Sequence, residues 1–177
     1  MTDRERAIDD LLAKQEITEV IFKYARCMDR CDHELGKEVF WPESKVDYGE
    51  QMYVGTGYGF VEMSLNAHAS MFLSHSHQHG NCLIKVDGDR AYSEYYGDAT
   101  LRRKDENGQL IDSRNLGRYV DLWEKRGGKW KILERAFLID IEETRPVAGN
   151  MFQPTGKRDK SDSSYRLFNE GKLLPLP

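Results

Sequence analysis

The sequence predicts an α+β domain in which helices come first and a strongly curved, mixed or antiparallel sheet follows. Three observations predict it. Apolar residues recur at helical spacing through the first forty positions, then change to strand-like runs from Val46 onward. Asp87-Gly88, Asn107-Gly108 and Gly127-Gly128 are hairpin signals in regular succession. A length of 177 residues suits one domain with a real core.

The elements follow in order. Thr2 with Glu5 three residues on fits a capping box. Ile8, Leu11 and Leu12 follow at helical spacing, and the pattern resumes one residue out of phase as Ile17, Val20, Ile21, Tyr24 and Met28. The slip near Lys14 and Gln15 predicts two consecutive helices or one bent helix, ending between Asp29 and Asp32. Leu35, Val39 and Phe40 predict a short helix stopped by Trp41-Pro42, with Asp32 as its N-cap. Two short strands, Val46–Tyr48 and Met52–Val54, flank Gly49. Phe60, Met63, Ala67 and Met71 space a third helix. Four longer strands then run over 75–86, 90–103, 113–125 and 130–141. Beyond Thr144 the composition turns to Gly, Pro, Lys, Asp and Ser. We read 1–143 as the domain and 144–177 as a poorly structured tail or a subunit-contacting arm, with Lys157–Lys160 solvated.

Composition narrows the class. Lys plus Arg number 26 against 30 Asp plus Glu, a net charge of −4, which gives no electrostatic reason for a nucleic-acid or membrane surface. The mean hydropathy is −0.71 and no apolar run approaches a membrane span. The start of the chain has no apolar signal segment. Cys27, Cys31 and Cys82 are odd in number and lack zinc-type spacing, so free thiols in a cytoplasmic setting are expected. The last strand carries Trp130, Ile132, Ala136 and Leu138 on one face and Leu133, Phe137, Ile139 and Ile141 on the other. One face can lie under the helices. The other must also leave water, which predicts a homo-oligomer, dimer or trimer.

His75, His77 and His79 alternate at the start of a strand, so they share one face. The readings are a catalytic base, a metal site or an exposed polar strand start. A metal needs three or four converging ligands from more than one element, and no motif supplies the rest, so none is expected. Asp29 ends an apolar-striped helix, where the macrodipole disfavours a carboxylate unless a cation or donor stands opposite. A histidine of the strand is a suitable partner; a turn carboxylate is the plainer reading. Trp123, Trp130 and Phe137 read as core or as ligand-stacking rings. Arg135 is either paired with an acid such as Asp121 or aimed at a substrate anion. Asn81 suits a strand bend, and Cys27 and Cys31 suit burial.

The string Ile17-x-x-Val20-Ile21-x-x-Tyr24-x-x-x-x-Asp29-x-x-Asp32 resembles the opening of the SnoaL-like branch of the NTF2-like superfamily. So do His77-x-x-x-Asn81-x-x-Ile84-x-Val86-Asp87-Gly88 and Tyr119-x-x-x-Trp123-x-x-x-x-Gly128-x-Trp130-x-Ile132-x-x-Arg135. The resemblance covers about Glu5 to Glu143. It implies a cone-shaped barrel with helices closing a bent sheet over an apolar cavity. Similar members include scytalone dehydratase, hexachlorocyclohexane dehydrochlorinase and bile-acid 7α-dehydratase, which use a His–Asp pair without metal or cofactor. By position Asp29 and His77 match that dyad, and Tyr24 matches a substrate-contacting tyrosine. The second catalytic histidine of scytalone dehydratase has no counterpart in Ala91–Asp98, and the late-strand arginine of the bile-acid enzyme is unmatched at Ile139 or Asp140.

The expected function is a cofactor-independent lyase or dehydratase acting on a small cyclic hydrophobic substrate. His77 would remove a proton, Asp29 would orient it, and Tyr24, Tyr95 or Tyr96 would assist a leaving oxygen. His79 is the rival base and, with Tyr95, Tyr96, Trp123, Arg135 and Phe137, a candidate substrate contact. An isomerase or cyclase using the same dyad, and a non-catalytic binding or assembly module, are the alternatives.

Overall fold

A computed structural model of the protein describes residues 2–149 and 154–173. Helix α1 (Asp3–Arg30) opens on the expected capping box, with the Thr2 and Glu5 side chains each accepting from the other's backbone N–H. It is a single helix of about 42 Å. It runs unbroken through Lys14 and Gln15, so the two consecutive helices are not found. Leu11 and Leu12 are 65% and 58% exposed, so the first apolar stripe is largely outside the core. Ala13, Ile17, Ile21, Tyr24, Cys27 and Met28 form the stripe that is buried. The helix ends with Cys31 in the left-handed region (φ 47°). Asp32 caps α2 (His33–Val39) by accepting the Leu35 N–H at 3.2 Å.

Strand β1 (Phe40–Asp47) begins six residues before the expected Val46, directly after α2, and its register shifts between Phe40 and Lys45. That irregularity accommodates Pro42, which has no N–H for a ladder. After β2 (Val54–Thr56), helix α3 (Gly57–Met71) buries Gly57, Phe60, Val61, Ser64 and Leu65. The sequence stripe through Met63 and Met71 is therefore rotated from the true inner face, and Met71 is exposed. Strands β3 (Ser74–Asp87), β4 (Arg90–Lys104), β5 (Leu110–Arg126) and β6 (Lys129–Pro146) follow as hairpins. At the β5–β6 turn, Gly127 and Gly128 both have positive φ, as a tight hairpin demands.

The sheet order is β2-β1-β6-β5-β4-β3, with β1 parallel to β6 and all other pairs antiparallel. Helices α1, α2 and α3 cover the inner face. The core joins Ile17, Ile21, Tyr24 and Met28 of α1 to Phe40, Phe60, Leu65, Tyr95, Tyr119, Trp123 and Ile132. The faces of β6 differ from simple alternation. A register shift opposite Leu122 and Trp123 inserts Leu133, so Trp130 and Ile132 are followed inward by Arg135 and Phe137. Ala136 and Leu138 turn to the other face. This one bulge residue reverses the side chains as far as Ile139, where a second register shift follows at Asp140.

Strand β6 extends past residue 143, and the segment after it contains helix α4 (Ser163–Glu170). The arm packs on its own chain. Tyr165 donates to Asp32 at 2.6 Å, Arg26 donates to Ser164 at 3.0 Å, and the Arg26 guanidinium lies over the Tyr165 and Phe168 rings. Within 144–177, residues 150–153 and 174–177 lie outside the described residues. Among the described residues no helix is long and apolar enough to cross a membrane.

Candidate active site

The alternation of His75, His77 and His79 aims all three at α1. His75 Nε2 lies 2.8 Å from the Met28 carbonyl, and His79 Nδ1 lies 3.3 Å from the Ile21 carbonyl. Between them His77 meets Asp29 twice. Its Nδ1 is 2.8 Å from Oδ1, and its backbone N–H donates to the same carboxylate at 3.0 and 3.2 Å. The donors needed to hold a carboxylate at a helix C-terminus are therefore supplied by one residue of β3. Asp29 accepts from Nδ1–H, which leaves Nε2 with the lone pair. The His77 and Asp29 side chains are 8% and 17% exposed.

Sequence reasoning missed His68. It follows Leu65 by three residues on the buried side of α3, and its ring centroid lies 4.6 Å from His75 and 5.5 Å from His77. The signal was present: Val61, Leu65 and His68 share the i, i+4, i+7 face. Burial pushes the His68 imidazole down to about 3, aided by repulsion from His77 and His75. Burial and then the Arg135 charge push His79 to about 3, and burial also lowers His75. The Nδ1 atoms of His68 and His75 and Nε2 of His79 are buried without a hydrogen-bond partner. Within this cluster the carboxylate hydrogen bond goes to His77 alone. Among the described residues no group of three or more His, Cys, Asp or Glu is arranged to hold a metal ion.

The other candidate residues form a second cluster deeper in the cone. Arg135 is wholly buried and donates to Asp121 Oδ1 at 2.8 Å and Oδ2 at 2.7 Å. It also donates to the Tyr95 hydroxyl at 2.5 Å and reaches Tyr48 at 3.4 Å. Its guanidinium carbon lies 4.4 Å from the Tyr24 ring centroid and 4.7 Å from that of Tyr119. Burial raises the Asp121 carboxyl, opposed by the Arg135 charge. Tyr24 and Tyr48 share a hydroxyl–hydroxyl bond of 2.9 Å. Gly97 permits this packing, since a Cβ there would lie 2.5 Å from the Tyr119 ring. Of the two readings of Arg135, pairing with Asp121 is the one observed.

The remaining placements divide by face. Phe137 lies against Tyr119, centroids 4.7 Å apart. Trp123 is core and donates to Ser93 at 2.8 Å. Tyr95 points inward, whereas Tyr96 is 47% exposed on the outer face and is not brought to the site. His79 bridges the clusters, stacked on Tyr24 at 5.8 Å. The interior is filled by rings rather than left as a wide apolar space: Tyr48 stacks on Phe60 at 3.7 Å. A groove of about 1050 Å³ lies instead on the outer face, and neither His77 nor Asp29 lines it. A cleft of about 710 Å³ lies between α3, the starts of β3 and β5, and the C-terminal arm, and neither His77 nor Asp29 lines it.

A family model described as SnoaL-like domain matches residues 9–136. No curated protein matches the chain in sequence. A scytalone dehydratase-like protein of Novosphingobium aromaticivorans has a similar structure, with TM-score 0.65 and 23% identity over 83% of this chain and 95% of that one. The LinA-type3 hexachlorocyclohexane dehydrochlorinase of Novosphingobium barchaimii gives TM-score 0.65 and 18% identity over 86% and 99%. An NTF2-like superfamily protein of Salmonella enterica gives TM-score 0.61 and 24% identity over 80% and 96%. At these identities the likeness concerns the fold, a curved sheet that is not closed.

Proposed function

The chain belongs to the SnoaL-like domain family, and from that premise we propose that it is a cofactor-independent, dehydratase-like lyase acting on a small cyclic hydrophobic molecule in the cytoplasm. The observation that carries this reading is the 2.8 Å contact between His77 Nδ1 and Asp29. His77 Nε2 takes a proton from a substrate carbon. The C–H electrons form the new double bond, and the leaving group departs from the adjacent carbon with its electron pair. Asp29 stabilises the imidazolium that forms, and such a positioned base typically contributes about 10²–10⁴-fold. His79 is the weaker candidate because burial and Arg135 both oppose its charge.

A second reading has its own support. His68 and His75 are pushed towards the neutral form and offer no strong acid beside His77. A reaction in which His77 returns the proton it took, an isomerisation or cyclisation, needs no other acid. The test is turnover of cyclic alcohols, halides and ketones, with product mass separating elimination from isomerisation. Asp29→Asn and His77→Ala should each lower turnover at least about 100-fold while the chain stays folded. Wild-type turnover in His77→Ala, with loss only in His79→Ala, would overturn the assignment.

The same reading includes a second copy of the chain on the outer sheet face. Val54 (60% exposed), Leu83 (72%), Tyr92 (44%) and Val120 (40%) line the outer groove with Lys45, Lys85, Glu94 and Glu134. Apolar rows carrying both charge signs suit a self-complementary interface. Light scattering should give a dimer or trimer and Leu83→Glu should weaken it; a monomeric wild type would overturn this part.

A further inference from the structure

The cleft between α3, the starts of β3 and β5, and the C-terminal arm is not used by the mechanism above. Leu65, Leu73 and Leu110 give it an apolar wall, and Arg102, Lys157 and Arg158 give it cations. Its volume of about 710 Å³ falls within the range of small-molecule sites. Arg102 is held bidentately by Asp112, with both contacts at 2.7 Å. Asp159, the carboxylate lining the cleft, accepts the Ser161 N–H at 2.7 Å.

Arg158 is different. It is half-buried, and its Nη1 donates to the His68 carbonyl at 2.7 Å. Among the described residues no carboxylate pairs with it, so most of its fork of donors is uncommitted. A partly desolvated guanidinium without an anion beside an apolar wall is a binding feature, because such a fork matches a carboxylate bidentately.

Its lining neighbours the histidine cluster along the chain. Ser74 in its lining precedes His75, Leu65 lies one turn before His68, and Cys31 is two residues from Asp29. The Nδ1 atoms of His68 and His75 are buried and unpartnered, in rings 5.5 and 6.0 Å from that of His77. These nitrogens can take hydrogen bonds from a polar group reaching inward.

We propose that this cleft binds a carboxylate-bearing apolar ring molecule, with Arg158 of the C-terminal arm recognising the anion. As a substrate site it rests on the reading of His77 as base; as a binding site it does not. The carboxylate sits on the arm and the ring lies along Leu65, Leu73 and Leu110. Small ring acids, rather than neutral rings, are then the substrate class.

The experiment is calorimetric titration of the full chain with 1-naphthoate and, separately, with the neutral 1-naphthamide. Wild type should bind the acid at least about tenfold more tightly than the amide, and added salt should narrow the gap. Arg158→Gln should lose that preference. Tyr165→Phe loosens the arm without removing a cation and should stay within about threefold of wild type for the acid. His77→Ala should bind naphthoate normally, which separates a failed dyad from a failed cleft. Equal binding of acid and amide, undiminished acid binding by Arg158→Gln, equal losses in Arg158→Gln and Tyr165→Phe, or no naphthoate binding by wild type would each overturn the proposal.

Discussion

Arg135 and His77 lie on the inner side of one sheet, and their surroundings treat charge in opposite ways. Arg135 brings a full charge into the core, where Asp121, Tyr95 and Tyr48 meet its donors and two tyrosine rings cover its faces. The histidine cluster is shallower and keeps three buried nitrogens unpartnered. Burial is compatible with a charge when geometry satisfies every donor, and costly when a lone pair is left over. The first arrangement locks strands β5 and β6. The second leaves lone pairs without donors, and burial keeps those rings neutral.

The sharpest way to break this contrast is Arg135→Met. It strands the Asp121 carboxylate in the core and should cost about 3–5 kcal/mol of stability, read from urea denaturation. His77→Ala, by the same measurement, should cost much less, since Asp29 keeps the backbone donor of residue 77 and some solvent. Equal losses would mean that the two clusters do not differ in kind.

The next effect is on pH. The folded-state values of His68 and His79 lie near 3, below the ordinary imidazole value near 6.5. The unfolded chain therefore binds more protons between those values, and folding stability rises with pH there. Stability is fully present above about 6.5 and falls as pH drops toward 3, by a few kcal/mol. The melting temperature followed from pH 8 to pH 4 checks this. A flat profile above pH 5 would remove the claim that these rings are kept neutral. Tyr95→Phe comes third: it deprives Arg135 of one acceptor but keeps Asp121, so about 1–2 kcal/mol is expected in the same denaturation assay.

Much of this was legible in the sequence where the chemistry is local. The alternation of His75, His77 and His79 and the helix-end position of Asp29 fix which side chains can meet. The N-caps at Thr2 and Asp32 and the hairpin glycines needed only short spacing rules. What escaped depended on tertiary packing. The apolar residues Ile8, Leu11 and Leu12 looked like a packed stripe but stay largely exposed. The insertion of Leu133 reversed the faces of β6, which no alternation rule could foresee. His68 was missed because the α3 stripe was drawn through Met63 and Met71 rather than Val61 and Leu65. The Asp121 alternative for Arg135 was visible, but not the tyrosine cage, since Tyr24, Tyr95 and Tyr119 come from three elements and Tyr48 from the loop after β1.

The smallest expected effect is His79→Phe. His79 belongs to the histidine row by sequence but to the tyrosine cage by position, stacked on Tyr24 and edge-on to Tyr95 at 5.2 Å and Tyr119 at 5.3 Å. A phenyl ring keeps those contacts. It gives up one long hydrogen bond, 3.3 Å to the Ile21 carbonyl, and removes the unpartnered Nε2. Lost bond and relieved desolvation nearly cancel, so stability at pH 7 should change by less than about 1 kcal/mol. The acid-side loss of stability should shrink, because a phenyl cannot be protonated. Turnover should survive, since the proton goes to the ring that Asp29 holds. A large loss of stability at pH 7 would show that Nε2 is satisfied after all, and the distinction between a closed cage and an open histidine row would then fail at the residue where the two meet.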